Sequence, residues 1–201
     1  MRLEDLFHST RRRLGIGAWT RDYFERRFAE PDPWSYATSE YERKKYRRTL
    51  ETIPASAGAE VLEVGCAEGV FTAGLAEQGA HVLAVDICAR ALGRAMPRCA
   101  AWPGVRFACL DIACAPVLGA FDVVVCAEVL YYLHQRGLDR ARDHLVSALK
   151  SGGHMVLVHP IKDAARIHPV MAEHPSLRMA GEQTWADSTR PYTITLLEKR
   201  P

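Results

Sequence analysis

The sequence predicts a single α/β domain with a mostly parallel sheet, an antiparallel pair at its C-terminal edge and a helical cover at its N-terminus. Three observations carry that prediction. From Glu60 onward, short apolar runs alternate with helical stretches, the pattern of successive βαβ units. The chain has 201 residues, 48% hydrophobic and 25% charged, which suits one buried core and leaves no room for a second. Before Glu60 lies a segment of another kind, rich in arginine and carrying eight aromatic side chains between Trp19 and Tyr46.

Taken in order, that first segment is broken at Pro31-Asp32-Pro33. Ser39 and Glu42 have the spacing of a capping box and open a helix that runs to about Thr52, where Pro54 and Gly58 stop it. Strands are expected at 61–64, 81–85, 106–109, 123–126 and 155–158. Helices are expected at 71–77, 89–99 and 138–149, the last ended by Ser151-Gly152-Gly153. After Pro160 a helical or irregular stretch precedes two β-like runs near 177–184 and 192–198, which suit an antiparallel pair at one sheet edge. The expected organisation is one domain over 1–201, with a cover at 1–54, a cofactor-binding core at 59–159, and a substrate-side loop and terminal strands at 160–201.

Composition narrows the function. The longest apolar runs, 123–127 and 155–158, fall far short of the roughly 20 residues that a membrane helix needs. Glu4 and Asp5 precede Arg11-Arg12-Arg13 with no apolar stretch between, unlike a secretory leader, so a cytoplasmic location is expected. The six cysteines form no Cys-x-x-Cys pair and have no histidine at finger spacing. They read as small buried hydrophobes, and no metal is expected. Net charge is +2, with 12 Lys/Arg against 8 Asp/Glu in residues 1–50 and 14 against 16 thereafter. That asymmetry is too small for a nucleic-acid surface.

The chemistry centres on Glu63-Val64-Gly65-Cys66-Ala67-Glu68-Gly69, where the first strand turns into a helix. Gly65 and Gly69 permit a sharp turn and bring bare backbone close to a ligand at the carboxyl end of the sheet. A dinucleotide fingerprint would need glycine at position 70, where Val70 stands; Ala67 replaces the middle glycine, and Glu68 would set a negative charge beside a pyrophosphate. The loop therefore fits a cofactor that lacks phosphate and has a cationic end. Asp86, 17 residues after Gly69, closes the second strand and suits a ribose diol. Asp111 ends the third strand, where it can accept from an adenine amino group while Ile112 packs on the ring. Either aspartate alone could be a turn or cap residue; the glycine loop and both acids, in order at strand ends, are more specific.

These residues resemble the class I S-adenosylmethionine (SAM) dependent methyltransferases. The family's acidic-x-Gly-x-Gly-x-Gly pattern matches Glu63, Gly65, Ala67 and Gly69, its ribose acid matches Asp86 and its adenine acid Asp111. Residues 121–130 match its fourth-strand motif, and 149–153 the turn before the fifth strand. The resemblance implies a Rossmann-like methyltransferase sheet and SAM as cofactor, with Ile87 and Ala127 also lining its site. A narrower resemblance, to the NodS-type methyltransferases, rests on Asp32-Pro33-Trp34, Tyr41-Glu42-Arg43, the 63–67 loop, 90–95 and Ala127-Glu128-Val129-Leu130-Tyr131-Tyr132-Leu133. That group includes an enzyme that N-methylates the deacetylated glucosamine of a lipo-chitooligosaccharide. The likeness covers 32 to about 158 and does not extend to 160–201.

The expected activity is N-methylation of a small-molecule amine, an amino sugar or an amine-bearing natural product. Methyl transfer chiefly requires alignment of donor and acceptor and exclusion of water. Glu128, Tyr132 and His159, which follow the fourth and fifth strands, are the candidate catalytic residues; Tyr131 and Tyr36 are candidate substrate contacts. Trp34 is expected to close over the cofactor and Arg43 to pair with its carboxylate. Competing readings are a helix cap for Glu128, a strand-end hydrogen bond for His159, packing for one of the two tyrosines, and a solvated face for 43–48. The rival activities are an O-methyltransferase with His159 or Glu128 as base, and a nicotinamide-dependent reductase, which the missing third glycine and Glu68 oppose.

Overall fold

The computed structural model describes residues 19–54, 57–186 and 189–201, so Arg11-Arg12-Arg13 lie outside the described residues. Two helices form the cover, α1 (Arg21–Arg27) and α2 (Glu40–Thr52). The core follows as β1 (Glu60–Val64), α3 (Val70–Glu77), β2 (His81–Asp86), α4 (Ala89–Arg98), β3 (Val105–Cys109) and β4 (Phe121–Ala127). A 3₁₀ turn (Leu130–Tyr132) leads to α5 (Gln135–Ala148), β5 (Leu149–Pro160), α6 (Ile161–Ala172), β6 (Leu177–Trp185) and β7 (Tyr192–Lys199).

The seven strands lie in the order β3-β2-β1-β4-β5-β7-β6. β1 to β5 pair in parallel, while β7 runs antiparallel between β5 and β6. Strand order reverses between β1 and β4, so a crevice opens past their carboxyl ends. The register sets Val64 beside Val85 and Cys126, which brings the ends of β1, β2 and β4 to one level.

Alternation along the strands divides the core between the two sheet faces. Leu62, Val64, Val124, Cys126, Met155 and Leu157 pack against α5 and α6 through Leu138, Leu145, Ile167 and Met171. Val61, Val82, Val123, Val125, Val156 and Val158 face the other way, with Ile53, Phe71, Leu75 and Leu92. A smaller cluster seats the cover: Phe24 and Phe28 pack on Ala67, Cys88 and Ala91.

Three local expectations are corrected. The fifth strand starts at Leu149 rather than at 155, because Leu149 pairs with Phe121 and Lys150 bonds Asp122 at 2.9 Å, drawing 149–153 into the sheet. The capping box is half formed: Ser39 accepts from the Glu42 N–H at 3.5 Å, but the Glu42 carboxylate turns inward to Lys45 and Arg190. Cys66, Cys88, Cys99 and Cys126 are buried as expected, whereas Cys109 and Cys114 are exposed; none of the six is in a disulfide. Among the described residues no helix is long and apolar enough to cross a membrane.

Candidate active site

The glycine loop leaves β1 by a turn in which the Gly65 and Cys66 N–H groups both donate to the Val85 carbonyl, at 2.8 and 3.1 Å. Gly65 has φ +76°, and a Cβ there would lie 2.7 Å from Val129 Cγ2. Gly69, also at φ +76°, is the N-cap of α3; its Cβ would meet that of Ala95 at 3.0 Å, so it sits beneath the loop and does not line the cavity. Ala67 takes the left-handed conformation at φ +48°, a strain of about 1 kcal/mol, and its N–H donates to Asp86 Oδ2 at 2.9 Å.

Asp86 ends β2 with 9% of its surface exposed, and its Oδ1 accepts from the Cys88 N–H at 2.8 Å. Burial pushes its carboxyl above the usual range, against the pull of these N–H donors. A carboxylate offers about four acceptor sites, so lone-pair capacity remains for a ligand. Asp111 is held by the Ala113 N–H at 2.9 Å and the Cys114 thiol at 3.2 Å. Glu63 lies beneath them and accepts from the Thr72 hydroxyl at 2.5 Å; burial pushes its carboxyl up to about 7.

These groups line a cavity of about 500 Å³, within the roughly 300–1,000 Å³ of ligand pockets. Ile87, Ile112, Ala127, Trp34 and Tyr36 line it too. The cover supplies one wall: Trp34 stacks on Tyr36 with centroids 5.8 Å apart, and Tyr132 meets Trp19 and Phe24 edge-on at 5.1 and 5.0 Å. Nothing in the sequence beyond aromatic density marked Trp19, Phe24 and Phe28 as lining residues. The donor set fits SAM: bare backbone at Gly65, carboxylates for a ribose diol and an amino group, and aromatic faces for a sulfonium.

Three expected roles change. Arg43 is exposed and donates to the Thr38 carbonyl at 3.0 Å, because the helical period turns 42, 45 and 49 inward instead. Glu68 reaches the cavity wall with its charge already matched, by Arg94 at 2.7 Å and the Asp32 N–H at 3.1 Å, so it anchors the cover rather than repelling a phosphate. His159 is fully buried and lines neither this cavity nor the second one described below.

His159 stands at the head of a hydrogen-bonded chain. Its Nε2 accepts from the Leu130 N–H at 3.3 Å, which assigns the ring proton to Nδ1. Nδ1–H then donates to His168 Nε2 at 2.9 Å, His168 Nδ1–H to the Thr195 hydroxyl at 2.6 Å, and that hydroxyl to Glu182 at 2.8 Å. Both His159 nitrogens are occupied, so the ring is a strut under the 3₁₀ turn rather than a free base. Burial holds both imidazoles neutral, His159 well below its ordinary value and His168 at about 4. A folded pKa below the unfolded one means stability is complete above about 6.5 and is lost as pH falls toward about 4. His168 is expected to lose about 2 kcal/mol of its contribution by pH 5. Thermal unfolding at pH 7 and 5 should show a smaller drop in His168→Gln than in the parent; equal drops would assign the acid sensitivity elsewhere.

A second cavity of about 190 Å³ adjoins the first and shares Trp34, Tyr36, Glu128 and Tyr132 with it. Glu128 has φ +56°, donates its N–H to the Val158 carbonyl at 2.8 Å and accepts from Lys45 Nζ at 2.8 Å. It does not cap the following turn, which has no side-chain cap. Tyr131 lines the second cavity, and its hydroxyl lies 3.4 Å from that of Tyr132. Sequence reasoning missed Lys45 and Glu42, reading 43–48 as a solvated face; the i, i+3 spacing of Glu42 and Lys45 was the available signal.

A doubly wound sheet with β7 inserted antiparallel, a glycine loop after β1 and acids at the ends of β2 and β3 define a class I SAM-dependent methyltransferase. Residues 17–172 match the family model of Nodulation protein S (NodS), and the chain belongs to that family. It is 37% identical over 110 residues to Nodulation protein S of Bradyrhizobium diazoefficiens, covering 54% of this chain and 53% of that protein. To Nodulation protein S of Sinorhizobium fredii it is 34% identical over 134 residues, 65% and 62% of the two chains. The matches thus span somewhat more than half the length of these relatives. The crystal structure of N-methyltransferase NodS from Bradyrhizobium japonicum WM9, in complex with S-adenosyl-L-homocysteine, superposes with a TM-score of 0.81 at 27% identity, covering 90% of this chain and 98% of that one.

Proposed function

We propose that this chain is a cytoplasmic enzyme that transfers a methyl group from SAM to the neutral amine of a small molecule, an amino sugar or an amine-bearing natural product. One observation carries the reading: Glu128 and Tyr132 border both cavities, so donor and acceptor meet at the end of β4. In this reading Glu63, Gly65, Ala67, Ile87, Asp111, Ile112, Ala127 and Trp34 hold the cofactor, with Asp86 on its ribose and Gly69 shaping the loop. The described residues of 1–54 serve as the cover, 59–159 as the cofactor core and the described residues of 160–201 as part of the acceptor side, where Pro160 and Arg190 line the second cavity. Neither nucleic acid nor membrane is a partner.

When bound, SAM supplies a sulfonium methyl, onto which the acceptor nitrogen's lone pair forms the C–N bond as the C–S pair returns to sulfur and the surplus proton leaves the nitrogen for water. The chain's part is to position and desolvate. Tyr36, Tyr131 and Tyr132 wall the acceptor with aromatic surface, and burial there disfavours an ammonium. Glu128 orients the amine. The occupied nitrogens of His159 remove one of the two candidate bases, His159 or Glu128, for an O-methyltransferase.

Labelled SAM offered with amino sugars and their hydroxyl counterparts tests the reading. Methyl is expected on nitrogen, at a rate that rises with pH as the amine deprotonates. Tyr132→Phe should cost roughly tenfold to a hundredfold, less than the loss of a true general base. Methyl on oxygen would overturn the assignment.

A further inference from the structure

Two carboxylates and two cations border the second cavity: Glu42 and Glu128, Lys45 and Arg190. Lys45 Nζ lies 2.9 Å from Glu42 Oε2 and 2.8 Å from Glu128 Oε1, with 3% of its side chain exposed. Arg190 reaches the other Glu42 oxygen at 2.8 Å. Burial alone would drive an ammonium to lose its proton, but the two carboxylates outweigh it and hold Lys45 above the ordinary lysine value. The rings of Tyr41 and Tyr192 lie 5.0 and 6.0 Å from Nζ. From β5, His159 faces it uncharged. Around Glu128 the phenols of Tyr36, Tyr131 and Tyr132 are kept protonated by burial. Among the described residues, then, Lys45 is the charge that answers Glu128.

We propose that Lys45 is a specificity-determining residue that, by occupying the Glu128 carboxylate, makes the acceptor cavity electrically balanced and selective for an amine in its free-base form. The inference rests on the reading of this cavity as the acceptor site. A free carboxylate there would capture the far commoner ammonium, which has no lone pair to attack with and would block the site. With Glu128 paired, an ammonium meets no unmatched negative charge in a place of low dielectric, while a neutral amine enters without that penalty.

Removing one charge at a time makes the proposal testable, because the two single variants unbalance the cavity in opposite senses. Lys45→Met leaves Glu128 free and the cavity net negative; Glu128→Gln leaves Lys45 in excess and the cavity net positive. The experiment measures kcat and KM for glucosamine with labelled SAM from pH 6 to 10. Lys45→Met is expected to raise the midpoint of the kcat–pH profile by about one unit and to lower KM at pH 6 about tenfold. Glu128→Gln should move the midpoint down. Lys45→Arg keeps the wild-type midpoint, and the Lys45→Met/Glu128→Gln pair, which removes both charges, restores it even where one single variant folds poorly.

Midpoints that stay put, or that move the same way in both single variants, would overturn the proposal and leave Lys45 a structural residue. Calorimetric titration with glucosamine at pH 6, in the presence of S-adenosylhomocysteine, supplies a readout free of turnover. Tighter binding by Lys45→Met than by wild type upholds the charge lock, and equal affinity overturns it. Absence of turnover in the wild type counts against the proposed function alone.

Discussion

Replacing Asp86 by alanine is expected to weaken SAM binding by about 2 kcal/mol or more, roughly thirtyfold. The carboxylate has three duties that alanine cannot share. It accepts from the Ala67 and Cys88 N–H groups at 2.9 and 2.8 Å, and it presents its remaining lone pairs to the cavity. Deletion would leave two backbone donors without a partner beside the ligand, in addition to an unpaired ribose. Asp111→Ala should cost less, since Asp111 is only half-buried and its main contact is a local turn to Ala113. Calorimetric titration with SAM, S-adenosylhomocysteine and NAD(H) tests both variants. Binding of the first two ligands by the wild type and not the third is expected; an unchanged affinity in Asp86→Ala would reduce Asp86 to a turn acceptor.

The cofactor side of the site was legible because its information is local. A strand, a glycine turn and a helix within about a dozen residues declare themselves, and an acid at the end of each following strand falls on the same sheet edge once the strands are parallel. The second cavity, the proposed acceptor side, was not legible, for the opposite reason. Lys45 meets Glu128 across 83 residues, and Arg190 meets Glu42 across 148, separations at which no pattern in the chain foretells a contact. Inside the Arg- and Lys-rich stretch from 43 to 48, only helical phase distinguishes the buried Lys45 from exposed Arg43 and Lys44.

His159 shows how a residue at the right place in sequence can serve another end. It follows the fifth strand where a catalytic group would stand, yet its ring is claimed by Leu130 and His168 before any ligand can reach it. Gly153 makes the same point for the fold. Read as a helix stop, it is instead a glycine inside β5, where a Cβ would fall 2.9 Å from the Lys150 carbonyl and 3.0 Å from that of Asp122. Two backbones approach there, which is the other reason a strand keeps a glycine.

Gly65→Ala is the second large effect, and it is expected to act on fold and cofactor together. Left-handed backbone costs an alanine about 1–2 kcal/mol, and overpacking a filled site adds about 1–3. The overpacking is severe because the new methyl would lie 2.8 Å from Val129 Cβ, an atom fixed to its own backbone and unable to swing aside. Gly58 separates the two causes: it has nearly the same φ, +75°, but nothing within 4 Å of its imagined Cβ, so Gly58→Ala carries the conformational cost alone. For a chain of this size Gly65→Ala should lower Tm by about 10 °C and Gly58→Ala by a few degrees. Val129 follows directly on Glu128, so the displacement that relieves Gly65→Ala shifts the bridge between the two cavities, and SAM affinity should fall along with Tm. Equal losses of Tm in the two variants would show that the left-handed turn, and not the close approach to Val129, is what the glycine at position 65 provides.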